Sequence, residues 1–261
     1  MLGWSINLFR IRGIQLALHG SFLLLLAYIA WAGWQNDGLL GAAWSVAILT
    51  AFFTCIVLHE LGHCFTGMHF GIGVRRILLM PIGGMAEFES IPREPAKELL
   101  MTLAGPAVNF AIAGLLWASF GLPETFSFWS LSNYEASVTG FAHLLLHWNL
   151  LMGCFNLSPV FPMDGGRILR ALLATKLPYV RATFWAAMVG KICAVAAVLV
   201  AAFWFEAYLT AFLFGFIFFA GETEYRAVLR REREEEHWRE VMALFQSERP
   251  PEPPPLLETP R

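Results

Sequence analysis

Long apolar stretches dominate this chain, and they restrict its fold more than any other feature. Hydrophobic residues make up 57% of the sequence and charged residues only 15%, a balance typical of integral membrane proteins. A helix needs about twenty apolar residues to cross a bilayer. The sequence therefore predicts an all-α polytopic membrane protein with about six transmembrane helices. The candidate spans are residues 16–34, 41–68, 98–120, 138–160, 182–204 and 206–222.

The first apolar stretch has a second interpretation, as a secretory signal peptide. Arg10 and Arg12 precede it, and Ala30-Trp31-Ala32 stands near its end, which is the layout of such peptides. Another hydrophobic stretch follows directly, where a signal peptide would be followed by a soluble domain. We therefore expect the first stretch to be retained as a span.

Basic residues lie on one side of the predicted spans. If the N-terminus is cytoplasmic, the outside loops contain no lysine or arginine, and Lys191 alone falls inside a span. Cytoplasmic loops carry an excess of these residues in membrane proteins. We expect both termini to be cytoplasmic, in a prokaryotic cytoplasmic membrane. The inside segments hold Arg10, Arg12, Arg75, Arg76, Arg93, Lys97, Arg167, Arg170, Lys176, Arg181 and the arginines of the tail.

Two segments outside the spans have a character of their own. Residues 74–90 alternate in hydrophobicity and include Gly83-Gly84, which predicts a short membrane-associated β element between the second and third spans. Residues 223–261 are charged, then proline-rich, and we favour a solvated amphipathic helix with an extended end over a partner-binding element. The predicted organisation is a membrane domain at 1–222 and a cytoplasmic tail at 223–261.

The sequence His59-Glu60-Leu61-Gly62-His63 lies inside the second predicted span. Histidines four residues apart share one face of a helix and can bind the same zinc ion, and a carboxylate after the first can reach a water at the metal. Ionisable side chains are rare within membrane helices and usually functional. We therefore predict one Zn²⁺ per chain, with His59 and His63 as ligands and Glu60 as the catalytic carboxylate.

A catalytic zinc site needs a third protein ligand, and the sequence leaves two candidates. Asp164 follows Pro159 and Pro162, whose rings break a helix at the predicted depth of the two histidines. Ligation is favoured for Asp164 over capping of the helix that follows it. His69 is the second candidate, because it stands ten residues after His59, a spacing used by some soluble zinc proteases, although their glycine is replaced here by Thr66.

A second histidine pair has no glutamate beside it. His143 and His147 are also four residues apart, in the fourth predicted span. Polar side chains in membrane helices often form hydrogen bonds between helices. We assign this pair a structural role.

Three motifs together give the chain a specific resemblance. The membrane-embedded His59–His63 motif is followed by Ala104-Gly105-Pro106-Ala107-Val108-Asn109 on the third span and by Asn156…Pro159…Pro162…Asp164-Gly165-Gly166 on the fourth. In this order and spacing they resemble the site-2 proteases, which are intramembrane zinc metalloproteases. The similarity covers residues 15 to 222, while the PDZ and CBS modules of many members have no counterpart in these loops or this tail. The chain thus resembles a minimal member.

The resemblance implies a function and a site. It implies His59, His63 and Asp164 as zinc ligands, Glu60 as the catalytic carboxylate, and Asn156 near the scissile carbonyl of the substrate. It also implies that the β element pairs with an extended substrate. The expected activity is a zinc-dependent endopeptidase that cleaves transmembrane segments near the cytoplasmic face, with a single-span membrane protein as substrate, the lipid bilayer as surroundings and no nucleic acid as partner.

The alternative is a non-proteolytic membrane protein, either a metal-binding scaffold or a zinc transporter. Intramembrane histidines and aspartate would serve such a protein equally well. Glu60 argues against it, because hydrolysis needs a carboxylate between the ligands and transport does not.

Overall fold

The computed structural model describes residues 4–123, 136–203 and 207–247. Within these ranges the chain is mainly helical, with one small sheet near its N-terminal end. The strands are β1 (Ser5–Ile11), β2 (Ile14–His19), β3 (Val74–Met80) and β4 (Gly83–Phe88), and the helices are α1 (Gly20–His69), α2 (Pro95–Phe120), α3 (Val138–Asn156), α4 (Asp164–Ala174), α5 (Tyr179–Phe203) and α6 (Tyr208–Ser247).

Helix α1 is a hairpin of two arms. Asp37 and Gly38 have non-helical backbone angles, and Gly38 has φ of 58°, a value that glycine adopts without strain. The rings of Phe22 and Phe53 lie with their centroids 4.6 Å apart, whereas a straight helix would separate them by about 46 Å. The chain therefore reverses at Asp37-Gly38, and the two arms correspond to the first two predicted spans.

Four described helices, α1, α2, α3 and α5, are long and apolar enough to cross a membrane. The predicted count of six spans is not confirmed. Residues 204–206, where the predicted fifth span ends and the predicted last span begins, lie outside the described residues, as do the proline-rich residues 248–261. The predicted start of the first span at residue 16 is wrong, because residues 14–19 form β2. Strand β2 and the first arm of α1 are both apolar, so hydropathy alone does not show where the strand ends and the helix begins.

The sheet has the strand order β1-β2-β3-β4. Strands β3 and β4 pair antiparallel, with Arg76 opposite Glu87, and they form the β element that the sequence predicts at residues 74–90. The hydrogen bond to Glu87 raises the pKa of the Arg76 guanidinium. Strands β1 and β2, which the sequence pattern does not predict, form a second hairpin, and β2 runs parallel to β3. Strand β4 is left at one edge.

The sheet packs on the second arm of α1. This contact places the edge strand β4 beside the His59–His63 motif. The buried apolar core between the sheet and α1 consists of Ile14, Leu16, Phe22, Phe53, Ile56, Leu61, Cys64, Ile77 and Leu79.

Helix α6 joins an apolar half to a charged half in one continuous helix of 40 residues. The predicted domain boundary at residue 222 lies inside it, without a break in the helix. Glu222 pairs with Lys191 of α5, so the lysine inside the fifth predicted span has a counter-charge.

Candidate metal centre

His59 and His63 lie on one face of α1, against α2. Their Nε2 atoms are 3.1 Å apart, and both side chains are buried. Helix α2 approaches the two rings at Gly105, where a Cβ atom would overlap the His63 ring and lie 2.8 Å from Cε1 of His59. A glycine is therefore required for the helices to pack this closely around the imidazoles.

Asp164 completes a cluster of three ligand side chains. Its Oδ2 lies 3.3 Å from Nε2 of His59 and 3.3 Å from Nε2 of His63. The residue opens α4 after the irregular segment 157–163, and a Cβ at Gly165 would overlap the backbone of Ser158, so the turn needs that glycine. Met163, not Asp164, is the N-cap residue of α4. The Asp164 carboxylate instead points at the histidines, from the first turn of a helix, where the helix dipole favours negative charge.

The hydrogen bonds behind the two rings define their tautomers. Nδ1 of His63 lies 2.8 Å from the carbonyl oxygen of Met101; this oxygen only accepts, so Nδ1 carries the proton. Nδ1 of His59 lies 2.6 Å from Oδ1 of Asn109, another acceptor. Both Nε2 atoms therefore present lone pairs to the centre of the cluster.

The cluster is a buried triangle of electron-pair donors facing one another. Oδ2 of Asp164 receives no hydrogen bond from the part of the chain that the structure describes. Such an arrangement is unfavourable unless a cation lies between the donors. With bonds of about 2.0–2.1 Å, the ligand atoms of a tetrahedral zinc lie about 3.3 Å apart, as the three atoms do here. The residues present therefore fit zinc, as the sequence predicted.

Glu60 stands next to this triangle and contacts the sheet. Its Oε2 accepts a hydrogen bond of 3.2 Å from the backbone N–H of Ala86 in β4. A Cβ at Gly84 would lie 3.0 Å from Cγ of Glu60. The edge strand thus passes directly over the side chain that the sequence predicts as the catalytic base.

The remaining sequence candidates lie elsewhere. Asn156 is half-buried at the last position of α3, where the segment leading to Asp164 begins. His69 is exposed at the end of α1, ten residues or about 15 Å along the helix from His59, and is not part of the cluster. His143 lies 3.3 Å from the carbonyl oxygen of Phe120, and His147 is fully buried in α3, which agrees with a structural role.

Two buried asparagines were not recognised as part of the site from the sequence. Asn109 contacts His59, and its Nδ2 donates to Oδ1 of Asn149, at 2.9 Å. In the sequence Asn109 stands out only as the end of the Ala104–Asn109 motif, and Asn149 belongs to none of the three motifs. The available signal was their position, since amides inside predicted spans are rare enough to suggest a function.

Comparison with known proteins identifies relatives of this chain. A model of peptidase family M50 matches residues 47–197. Zinc metalloprotease MJ0392 of Methanocaldococcus jannaschii is 40% identical over 190 residues, which are 73% of this chain and 52% of that relative. The putative zinc metalloprotease Rip3 of Mycobacterium tuberculosis is 31% identical over 205 residues, 73% of this chain and 49% of the relative.

A solved structure shares the fold. It is the site-2 protease from Methanocaldococcus jannaschii, with a TM-score of 0.59 and 34% sequence identity, and the match covers 85% of this chain and 95% of that one. The chain spans about half the length of the curated relatives it matches. The resemblance predicted from the three motifs is confirmed at the level of the family.

Proposed function

Because this chain belongs to peptidase family M50, we propose that it is a zinc-dependent intramembrane endopeptidase. It cleaves transmembrane segments of membrane-anchored proteins near the cytoplasmic face. The observation that carries this proposal is the triangle of His59, His63 and Asp164 beside Glu60. The two histidines and Glu60 lie on α1, which is apolar enough to cross a membrane. A site built only to hold or transport a metal has no need of that carboxylate.

Glu60 carries the proton in the proposed reaction. A zinc ion held by His59, His63 and Asp164 supplies Lewis acidity toward water and the scissile carbonyl. Glu60 accepts a proton from the attacking water as the new C–O bond forms. It then donates that proton to the departing nitrogen as the C–N bond breaks, so water is consumed and two chain ends are released.

The edge of β4 and Asn156 are the proposed substrate contacts. A peptide bond within a membrane helix is protected by the hydrogen bonds of that helix, so the substrate must be locally extended before cleavage. An extended peptide can pair with an exposed sheet edge, and β4 is at the edge of the sheet and touches Glu60. Asn156 would donate a hydrogen bond to the oxygen that becomes negative during attack.

The proposed orientation has both termini in the cytoplasm of a prokaryotic cell. The one-sided distribution of lysine and arginine supports it. In this orientation the metal centre faces the cytoplasmic side, and the substrate is a single-span protein that reaches the site within the bilayer.

Replacement of Glu60 by Gln tests the proposed reaction. The probe is a single-span reporter reconstituted with the purified protein in liposomes, with an Asn-Pro pair near the cytoplasmic end of its span to weaken the helix. Because glutamine cannot accept the proton, we expect Glu60→Gln to retain zinc and to reduce cleavage at least a hundredfold. Zinc content is measured by mass spectrometry and cleavage by gel electrophoresis.

The matched control is Glu94→Gln, an exposed glutamate that pairs with Lys97. It should cleave the reporter at the wild-type rate. Wild-type cleavage by a zinc-loaded Glu60→Gln protein would show that the proposed reaction is wrong.

A further inference from the structure

A chain of buried hydrogen bonds connects three helices behind the metal centre. It begins at His59 on α1, passes through Asn109 on α2 and ends at Asn149 on α3. Both asparagines are completely buried, at 0% exposure. Nδ1 of His59 lies 2.6 Å from Oδ1 of Asn109, and Nδ2 of Asn109 donates to Oδ1 of Asn149 at 2.9 Å.

The far end of this chain of hydrogen bonds, which we call the relay, determines which atom donates at each step. Nδ2 of Asn149 donates to the carbonyl oxygen of Leu145 at 2.8 Å and lies 3.3 Å from Sγ of Cys55. A carbonyl oxygen only accepts hydrogen bonds, so the amide nitrogen of Asn149 must face it. Its Oδ1 is then left for Asn109, whose own Oδ1 must in turn face His59.

The two histidines differ in what orients them. His63 faces the backbone carbonyl of Met101, which belongs to the helix and cannot exchange a donor for an acceptor. His59 faces a side-chain amide, and rotation of that amide by half a turn would replace the acceptor with an N–H donor. The tautomer of His59 therefore depends on whatever holds the Asn109 amide in place.

We propose that Asn149 is a positioning residue for the metal centre. It holds Asn109 with Oδ1 toward His59, which keeps the proton of His59 on Nδ1 and the lone pair of Nε2 available to zinc. Partners that orient metal-binding histidines typically change metal affinity 10–100-fold when they are removed. Asn149 acts in this way from α3, through the side chain of Asn109 on α2.

The inference rests on the zinc site of the proposed function, but not on the cleavage reaction. Its measurements use the metal-free protein and Zn²⁺ alone, with no substrate. A protein that binds zinc and cleaves nothing would overturn the proposed protease activity and leave this inference standing.

Asn149→Ala is the first variant. It removes the acceptor that holds the Asn109 amide, so Asn109 can rotate. We expect zinc affinity, measured by competition with a chelator in lipid nanodiscs, to fall by about tenfold or more. In the metal-free protein, ¹⁵N NMR of ring-labelled histidine should show the signal of His59, assigned with His59→Gln, moving toward the tautomer protonated on Nε2.

A second replacement separates orientation from packing. In the double variant Asn109→Asp/Asn149→Ala, the carboxylate at position 109 presents an acceptor to His59 whichever way it turns. We expect the double variant to recover most of the zinc affinity, although the space left at position 149 remains. A purely structural role for Asn149 predicts no recovery.

Two further variants complete the test. Leu146→Ala removes a buried side chain of the same helix that lies outside the relay, so it should lower the thermal unfolding midpoint without changing zinc affinity. Asn149→Asp keeps the oxygen that Asn109 needs, and burial favours its neutral acid, whose O–H can donate to the carbonyl oxygen of Leu145 as the amide does. It should bind zinc nearly as wild type does, which tests the proposal even where Asn149→Ala fails to fold. Wild-type zinc affinity in a folded Asn149→Ala, a tenfold loss in Asn149→Asp, or no recovery in the double variant would each overturn it.

Discussion

At the scale of single residues, the metal centre concentrates electron-pair donors in an apolar surrounding. Nε2 of His59, Nε2 of His63 and Oδ2 of Asp164 lie 3.1–3.3 Å from one another. The proton on each ring is held on the opposite nitrogen by Asn109 or by the Met101 carbonyl. The lone pairs of the three atoms therefore converge on one point, where a zinc ion would bind.

Gly105 provides a test of this close packing. A methyl group there would overlap the His63 ring and crowd His59, so we expect Gly105→Ala to lose most of its bound zinc. Zinc per protein is measured by mass spectrometry after purification.

Gly114→Ala is the control for this prediction. It lies on the same helix, and its added methyl would meet nothing within 4 Å, so it should retain full zinc. Equal zinc content in the two variants would mean that the helices adjust freely and that the contact is not required.

The sequence predicts His59 and His63 as a ligand pair with Glu60 beside them, because a helix places residues four apart on one face. For the third ligand the sequence favours Asp164 and leaves His69 as the second candidate. Their difference is tertiary: Asp164 reaches the cluster through the irregular segment after α3, while His69 is exposed at the end of α1. Asn109 and Asn149 were missed for the same reason, because each finds its partner on another span.

At the scale of elements, the short helix α4 connects the metal centre to the charged half of α6. Asp164 opens α4, and Arg170, completely buried, stands near its other end. Nε of Arg170 donates to Glu98 of α2 at 2.8 Å, and Nη1 donates to Glu224 of α6 at 3.1 Å. The segment that the sequence suggested as a solvated tail is thus attached in part to the helix that carries a metal ligand.

Arg170 provides the prediction at this scale. Arg170→Met leaves Glu98 buried, at 1% exposure, without its cation. Breaking a buried ion pair from one side typically lowers the free energy of unfolding by about 3–5 kcal/mol. We expect a clear drop in the thermal unfolding midpoint in detergent, with partial recovery in Glu98→Gln/Arg170→Met.

Arg226→Met is the matched control, since Arg226 is an exposed arginine that pairs with Glu222. Exposed pairs contribute about 0–1 kcal/mol, so its midpoint should stay close to that of the wild type. If Arg170→Met unfolds no earlier than this control, the buried pair does not hold α4 in place.

At the scale of the whole molecule, the fold places a four-stranded sheet and an apolar helical body on either side of the metal centre. Strand β4 lies over Glu60, and α2 lies against the histidines. Under the proposed function, a substrate peptide paired with β4 would therefore run past Glu60.

The proposed orientation can be tested with single cysteines. In a protein whose exposed Cys154 and Cys193 are replaced by serine, Asp37→Cys at the turn of α1 should react with a membrane-impermeant maleimide on intact cells. Glu94→Cys, just before α2, should react only after the membrane is permeabilised. The opposite pattern would place the metal centre on the outer side.

Sequence alone determined the properties that depend on local pattern. Apolar stretches indicated a membrane protein, and the helical spacing of His59, Glu60 and His63 indicated a zinc site. The alternation at residues 74–90 likewise indicated strands. Tertiary structure decided that Asp164 and not His69 closes the triangle, that β2 pairs with β3 across 61 residues, with Gln15 opposite Arg76, and that the Asn109 amide lies against His59. These contacts join segments distant in the chain, and no local periodicity records them, because each depends on how separate helices and strands pack together.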